Sequence, residues 1–338
     1  MSKASGPRRG RFNDRLTAPI PGLREMLRIT REGGFRPKGV REDAPKIPRV
    51  QAALRPLGKG EASLTWVGHA TFLVRMGGKA ILTDPVWSNR LPGRIARLTP
   101  PGIEWADLPA IDAVVVSHNH YDHQDSRTLK RLPRATPVMV GLGGGAWFRK
   151  RGFTDVTELD WWQSARRSDV GFTFVPVHHW SRRGPFDLNK ALWGGWVMEA
   201  EGRKAFFGGD SAYGNRFKEV GARIKGIEVA MMPIGAYEPR WFMSPVHMDP
   251  DEAVAATSDL GAKALATMHW GTFPLSREPV MQPVERVRAA WESSGRPRMD
   301  LWDLAVGQTR VWGRPSRDVQ SGTEGARKER EEGSQTAR

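Results

Sequence analysis

The sequence predicts an α+β fold in which two β-sheets are covered by helices. Short apolar runs of strand length recur from about residue 60 to residue 313, and helical patterns break into them without the steady alternation of a βαβ array. Gly and Pro, 37 and 25 of the 338 residues, punctuate the joins. The balance of 39% apolar and 26% charged residues is that of a globular chain, long enough for one large domain or two small ones.

In chain order, residues 1–55 read as a basic extension with one short helix expected around 22–31. Residues 56–313 form the main domain. It opens with strands at 63–67, 71–76 and 80–83, the last two joined as a hairpin through Gly77-Gly78-Lys79. Residues 111–117 (IDAVVVS) are an apolar run typical of a strand buried on both faces. Strands follow at 138–140, 172–177, 193–200, 204–207, 229–232 and 264–268, with helices at 126–132, 215–224, 250–260 and 284–292. Asp249 caps the third helix, with Glu252 three residues on, and Gly261 stops it. Gly141-Leu142-Gly143-Gly144-Gly145 lacks the full spacing of a dinucleotide loop, since position 146 is Ala, and reads as a tight turn. Residues 314–338 are charged, almost without apolar side chains, and expected to be disordered.

The net charge is +15, and residues 1–50 hold 13 Lys/Arg against 5 Asp/Glu. Such an extension reads either as a solvated segment or as one that meets anionic lipid head groups, and peripheral membrane contact stands as one of these two readings. No RNA-module motif is present, and the aromatics gather near histidines rather than between Lys and Arg, which argues against nucleic acid as the partner. The longest apolar run, around 229–236, is far short of the ~18 residues of a membrane helix. Met1 to Arg15 is basic but carries no apolar stretch of a secretory signal. A cytoplasmic location is expected, with a homodimer left open as the assembly.

The chain has no cysteine. Thiol nucleophiles, Cys-ligated zinc and iron–sulfur clusters are thereby excluded, and any metal site must be built from His, Asp and Glu. Three of the eight histidines fall within six residues, in Ser117-His118-Asn119-His120-Tyr121-Asp122-His123-Gln124-Asp125. His118 and His120, two apart at the end of a buried strand, project to one side. A turn before the Asp125 cap then brings Asp122 and His123 back beside them. Imidazole and carboxylate donors of this kind suit zinc and similar divalent ions. The same placement recurs: His178-His179, Asp210 and His269 each stand where an apolar run stops, whereas His247 lies in a Pro-flanked loop suited to a substrate-facing group.

His118-x-His120-x-Asp122-His123 resembles the HxHxDH signature of the metallo-β-lactamase-fold hydrolases. Leu82-Thr83-Asp84-Pro85, His179, Asp210 within GGDS and His269 follow in that superfamily's order. Segments such as Thr65-Trp66-Val67-Gly68-His69-Ala70-Thr71, His179-Trp180 and His269-Trp270-Gly271-Thr272-Phe273 are similar to N-acylphosphatidylethanolamine-hydrolysing phospholipase D and its bacterial relatives, over about residues 35–313. The resemblance implies a four-layer αββα sandwich with two zinc ions at one edge of the sheets, or other divalent ions such as manganese or iron. It implies His118, His120 and His179 for the first ion, Asp122, His123 and His269 for the second, and Asp210 between them.

Asp84 would orient a ligand imidazole from behind, and His69 would support the site or the fold. His178 is the ambiguous neighbour; His179 is preferred because it precedes Trp180. For catalysis the resemblance implies Asp122 and His247, the latter donating a hydrogen bond to the phosphoryl or leaving oxygen, with a metal-bridging hydroxide as nucleophile on phosphorus. Arg240 and Trp241, in the His247 loop, are expected to meet the anionic and apolar parts of a lipid-like or small anionic substrate. The same metal pair can attack a carbonyl, so a lactonase or other hydrolase stands as the alternative, as does a nuclease of the same fold.

Overall fold

The computed structural model describes residues 11–35, 37 and 39–313. The charged tail expected from residue 314, and the first ten residues of the basic extension, lie outside the described residues.

Alternation along the strands builds the two sheets. The first contains β1 (Ala62–Gly68), β2 (Thr71–Met76), β3 (Lys79–Thr83), β6 (Ala113–Val115), β7 (Val138–Gly141), β8 (Val156–Leu159) and β16 (Thr309–Trp312), in the order β16-β1-β2-β3-β6-β7-β8. Leu64, Trp66, Phe72, Val74, Val115 and Met139 point inward to the main core, while their neighbours Leu73, Leu82, Val114, Val138 and Val140 form a second core on the outer face. α3 (Ser126–Leu129) and α4 (Gly145–Arg149) close that outer core through Leu129 and Phe148.

The second sheet contains β9 (Ser164–Arg167), β10 (Val170–Val175), β11 (Gly195–Ala200), β12 (Arg203–Phe207), β13 (Val229–Pro233), β14 (Ala264–Met268) and β15 (Leu301–Trp302), in the order β15-β14-β13-β12-β11-β10-β9. Phe217 of α5 (Arg216–Arg223), Val254 of α7 (Pro250–Asp259) and Trp291 of α8 (Gln282–Ser293) pack into the core beside it. Helices, two sheets and helices make the four-layer sandwich. β4 (Arg90–Leu91) and β5 (Ile95–Ala96) pair only with each other, and α6 (Arg240–Met243) lies in the His247 loop.

β3, β6 and β7 run parallel in the first sheet, as do β12, β13 and β14 in the second. Their carboxyl ends meet at one rim, which is where open α/β sheets present polar groups. β6 is shorter than the expected 111–117, and the cause lies at that rim. Ser117 N donates to the Asp84 side chain (2.7 Å) and Ser117 O accepts from Gly194 N (3.1 Å), so the chain leaves the ladder there. Asp249 and Glu252 form a reciprocal capping box on α7, each side chain accepting from the other's N–H at 2.9 Å. The turn after β7 is dictated by close approach: a Cβ on Gly143 would stand 2.1 Å from Lys190 O, and Gly143 has φ +82°.

The described part of the extension packs on the domain. Phe12 N donates to Asn189 O (2.7 Å), and α1 (Leu23–Arg31) buries Ile29 against Phe242 and Met243. α2 (Val40–Asp43) follows it. Among the described residues no helix is long and apolar enough to cross a membrane.

Candidate metal centre

Seven of the eight histidines gather at the common rim. After β6 the chain turns sharply, with His123 N and Gln124 N both donating to His120 O (3.2 and 2.9 Å), and Asp125 then caps α3. The Arg183 guanidinium fastens this loop by donating to Asn119 O and Gln124 O. His118 Nε2 and His120 Nδ1 come within 2.8 Å, and His179 Nε2, from the segment after β10, lies 3.3 Å from the same His120 nitrogen. Beside this trio, His69, Asp122, His123 and His269 form a second group whose donor atoms converge.

Asp210, after β12, reaches both groups. Its Oδ2 stands 3.1 Å from His123 Nε2, 4.0 Å from His118 Nε2 and 3.9 Å from His179 Nε2, while Oδ1 is 3.1 Å from His269 Nε2. Asp84 lies behind. It accepts from His123 Nδ1 (2.7 Å) and from the Ser117 hydroxyl, which in turn accepts from His118 Nδ1 (2.9 Å). His179 Nδ1 donates to Val246 O (2.9 Å). These outer bonds orient three imidazoles through Nδ1, so that Nε2 of His118, His123 and His179 faces the centre. His69 supports Asp122, its Nε2 lying 2.9 Å from Oδ2.

Burial drives the charge state of the trio. It holds His118 and His179 well below the ordinary imidazole range and His120 at about 4, so all three are neutral and free to ligate. For His123 and His269 burial acts the same way, but Asp210 and Asp122 overcome it; His123 rises well above the usual range and His269 to about 9. Burial pushes the Asp84 carboxyl up, against the contacts from His123 and Ser117. His69, Asp84 and His269 also adopt φ values of +53°, +31° and +63°, a region that side-chain-bearing residues rarely occupy. His69 is held there by its N–H donating to Thr272 Oγ1 (2.7 Å). Strain retained at three adjacent positions is a mark of a functional constraint.

The donor set fits divalent cations. Nε2 of His118, Nδ1 of His120 and Nε2 of His179 converge on one another, and Asp210 Oδ1 is buried without a hydrogen-bond partner. Separations of 3.1–3.3 Å between donors match the ~3.4 Å edge of a tetrahedron with bonds of about 2.0–2.1 Å. Two groups joined by one carboxylate make room for two ions.

Comparison with known proteins gives the family. The sequence profile described as the beta-lactamase superfamily domain matches residues 79–270, more than half of the chain. The chain belongs to the metallo-β-lactamase superfamily of metal-dependent hydrolases. An N-acyl-phosphatidylethanolamine-hydrolyzing phospholipase D of Caenorhabditis elegans is 36% identical over 73% of this chain and 74% of its own length. An uncharacterized protein of Mycobacterium tuberculosis is 41% identical over 69% of this chain, which spans 66% of that relative. A metallo hydrolase from the archaeon Ignicoccus hospitalis shares the fold at a TM-score of 0.58, with 22% identity, covering 75% of this chain and 99% of its own.

Within this superfamily frame, three expected residues stand elsewhere. His178 faces away from the centre: its Nδ1 is 2.7 Å from Thr17 Oγ1 and its Nε2 accepts from Arg216 N. Consecutive residues of an extended segment point to opposite sides, and His179 takes the inner one. Arg240 is occupied by Glu252, both guanidinium contacts measuring 2.8 Å, and is not free for a substrate anion. Trp241 lies under the Arg28 guanidinium at 3.9 Å, packed with Phe35 and Phe242 rather than in the cavity. His247 does stand at the centre, with Nδ1 4.0 Å from Asp210 Oδ2 and its ring 5.3 Å from that of His179. Of the nearby aromatics, Trp180 packs edge-on against His120 at 4.6 Å, whereas Trp270 stacks on Trp66 in the core. Sequence reading missed Ser117, Thr272 and Val246, which fix His118, His69 and His179 through one hydroxyl or carbonyl each.

Proposed function

We propose that this chain is a zinc-dependent phosphodiesterase of the phospholipase D type, acting on N-acylphosphatidylethanolamine-like lipids. The observation that carries the reading is a cavity of about 500 Å³ with His120, Asp122, Asp210, His247 and His269 at its polar end. Its walls are Met26, Leu91, Ile95, Phe242, Met243 and Leu275. A polar end able to hold metals, set in apolar walls, suits an amphiphile whose charged group reacts while its chains stay dry. The name carried by the nematode relative points the same way.

His118, His120 and His179 would hold one ion and Asp122, His123 and His269 the other, with Asp210 reaching both. When bound, such a pair supplies Lewis acidity and a water acidic enough to be nucleophilic at neutral pH. The protein's own groups do the rest. His69 holds Asp122 in place. His247, brought down to about 4 by burial, is neutral at physiological pH and offers a single N–H to a phosphoryl or leaving oxygen. His247→Ala is expected to retain both metals and lose turnover by roughly 10²-fold, the loss typical of one transition-state donor. Unchanged turnover removes His247 from the reaction.

α1 supplies the route from a bilayer. Leu23, Met26 and Leu27 are 75%, 44% and 50% exposed at helical spacing, and Met26 also lines the cavity. Arg24 and Arg31 stand on the same short helix, so its apolar face and charge suit an anionic lipid surface at the cavity mouth. One experiment tests both readings: metal-stripped protein reloaded with zinc is assayed on vesicles containing N-acylphosphatidylethanolamine, on bis(p-nitrophenyl) phosphate and on a lactone. Zinc-dependent release of phosphatidic acid is expected, with Leu23→Glu/Leu27→Glu protein no longer sedimenting with the vesicles. Lactone turnover without phosphodiester turnover overturns the phosphodiesterase reading.

A further inference from the structure

Arg240 is paired with Glu252 and does not line the cavity, so it is not the side chain that would meet an anionic substrate beside the metal ligands. Among the described residues, Arg182 is the single Lys or Arg lining the cavity. It stands three residues beyond His179 and two beyond Trp180, at the exposed rim. Its loop is rigidly tied. Ser181 N donates to Asn189 Oδ1 (3.0 Å), Asn189 N donates back to Ser181 O (2.7 Å), and Arg183 N and Gly184 N both donate to Asp187 Oδ1 (3.0 and 2.7 Å).

The two neighbouring arginines divide the work. Arg183 turns inward and gives its donors to Asn119 O, Gln124 O and Ser126 Oγ, holding the ligand loop. Arg182 uses only Nε, which donates to Gly184 O (3.0 Å) and sets the direction of the guanidinium. Among the described residues no carboxylate pairs with it, and its Nη1 and Nη2 make no hydrogen bond. A planar fork of donors, fixed at its base and open at its tip, is the arrangement that takes phosphate oxygens two at a time.

We infer that Arg182 is the anion anchor of the cavity, holding the phosphate of the lipid and setting the preference for an anionic over a neutral ligand with the same chains. The inference rests on the phosphodiesterase reading and names the residue that selects its substrate class. It is tested on the full chain loaded with zinc, by titrating dihexanoyl phosphatidic acid and, separately, dihexanoylglycerol, and following the fluorescence of the tryptophans.

Arg182→Ala is expected to weaken phosphatidic acid about tenfold or more while dihexanoylglycerol stays within about twofold. Arg182→Lys, which keeps the charge without the fork, is expected to fall between. Equal loss for both ligands, no loss for either, or no binding of phosphatidic acid to the unsubstituted protein overturns the anchor. If the chain cleaves a lactone and no phosphodiester, yet the Arg182→Ala difference persists, the phosphodiesterase reading falls and the anion anchor stands. If phosphodiesters are cleaved and the difference is absent, the anchor alone falls.

Discussion

Asp210→Ala is expected to lower turnover by at least ~10³-fold, the scale seen when a member of a catalytic unit is removed, and to cut bound metal from two ions per chain to one or none. The carboxylate reaches both groups of ligands: one oxygen faces His123 at 3.1 Å and the other faces His269 at 3.1 Å, with His118 and His179 about one ångström farther out. The carboxyl stays ionised in spite of its burial, because His123 and His269 hold it well below the usual carboxylate range. Without that charge, the buried site would lose the carboxylate that could balance two cations. The loss also reaches stability. Metal at a hundred times its dissociation constant stabilises a fold by about 2.7 kcal/mol, so zinc is expected to raise the melting temperature of the unsubstituted protein and to do little for Asp210→Ala. Metal content by mass spectrometry, turnover and melting curves with and without zinc check this together. A variant that keeps two ions and a tenth of its activity would remove Asp210 from between them.

Much of this was legible in the sequence, and the exceptions share physical causes. Strands inside either sheet announce themselves as apolar runs because both their edges and at least one face are covered. The four strands that escaped prediction in the two large sheets, β8, β9, β15 and β16, are the four edges of those sheets. Edge strands such as Ser164–Arg167 and Thr309–Trp312 carry polar and charged side chains that keep them from pairing further, and so lack the pattern. At the site, histidines and aspartates at strand ends could be found because parallel strands deliver their carboxyl ends to one rim. Side-chain direction could not. Whether His178 or His179 faces inward depends on how the segment leaves β10, and Arg240 is claimed by a Glu252 that already serves the cap of α7. Such choices are made by tertiary contacts between segments that are remote or turned through a loop.

Asp84→Asn tests whether hydrogen bonds behind the ligands, rather than the ligands alone, decide metal affinity. The change is nearly isosteric, so packing is kept; what changes is the direction of one hydrogen bond. Asp84 Oδ1 accepts from Ser117 N (2.7 Å), and Oδ2 accepts from His123 Nδ1 (2.7 Å) and the Ser117 hydroxyl. Asparagine has one acceptor oxygen, and the fixed backbone N–H of Ser117 claims it. The amide NH₂ then faces His123 Nδ1 and the Ser117 hydroxyl. The hydroxyl can rotate, but the imidazole must move its proton from Nδ1 to Nε2, the nitrogen that faces Asp210 at 3.1 Å. A protonated Nε2 has no lone pair for a metal. Zinc affinity at the group containing His123 is therefore expected to fall about 10- to 100-fold, while the trio of His118, His120 and His179 keeps its ion. Asp84→Ala removes the acceptors altogether, leaving buried donors unpaired at about 1–3 kcal/mol each, and is expected to lower the urea midpoint as well. Titration of stripped protein with zinc distinguishes the two: one weakened site on an intact fold for Asn, a weakened fold for Ala. If Asp84→Asn binds both ions as tightly as the unsubstituted chain, the His123 tautomer is not what Asp84 controls.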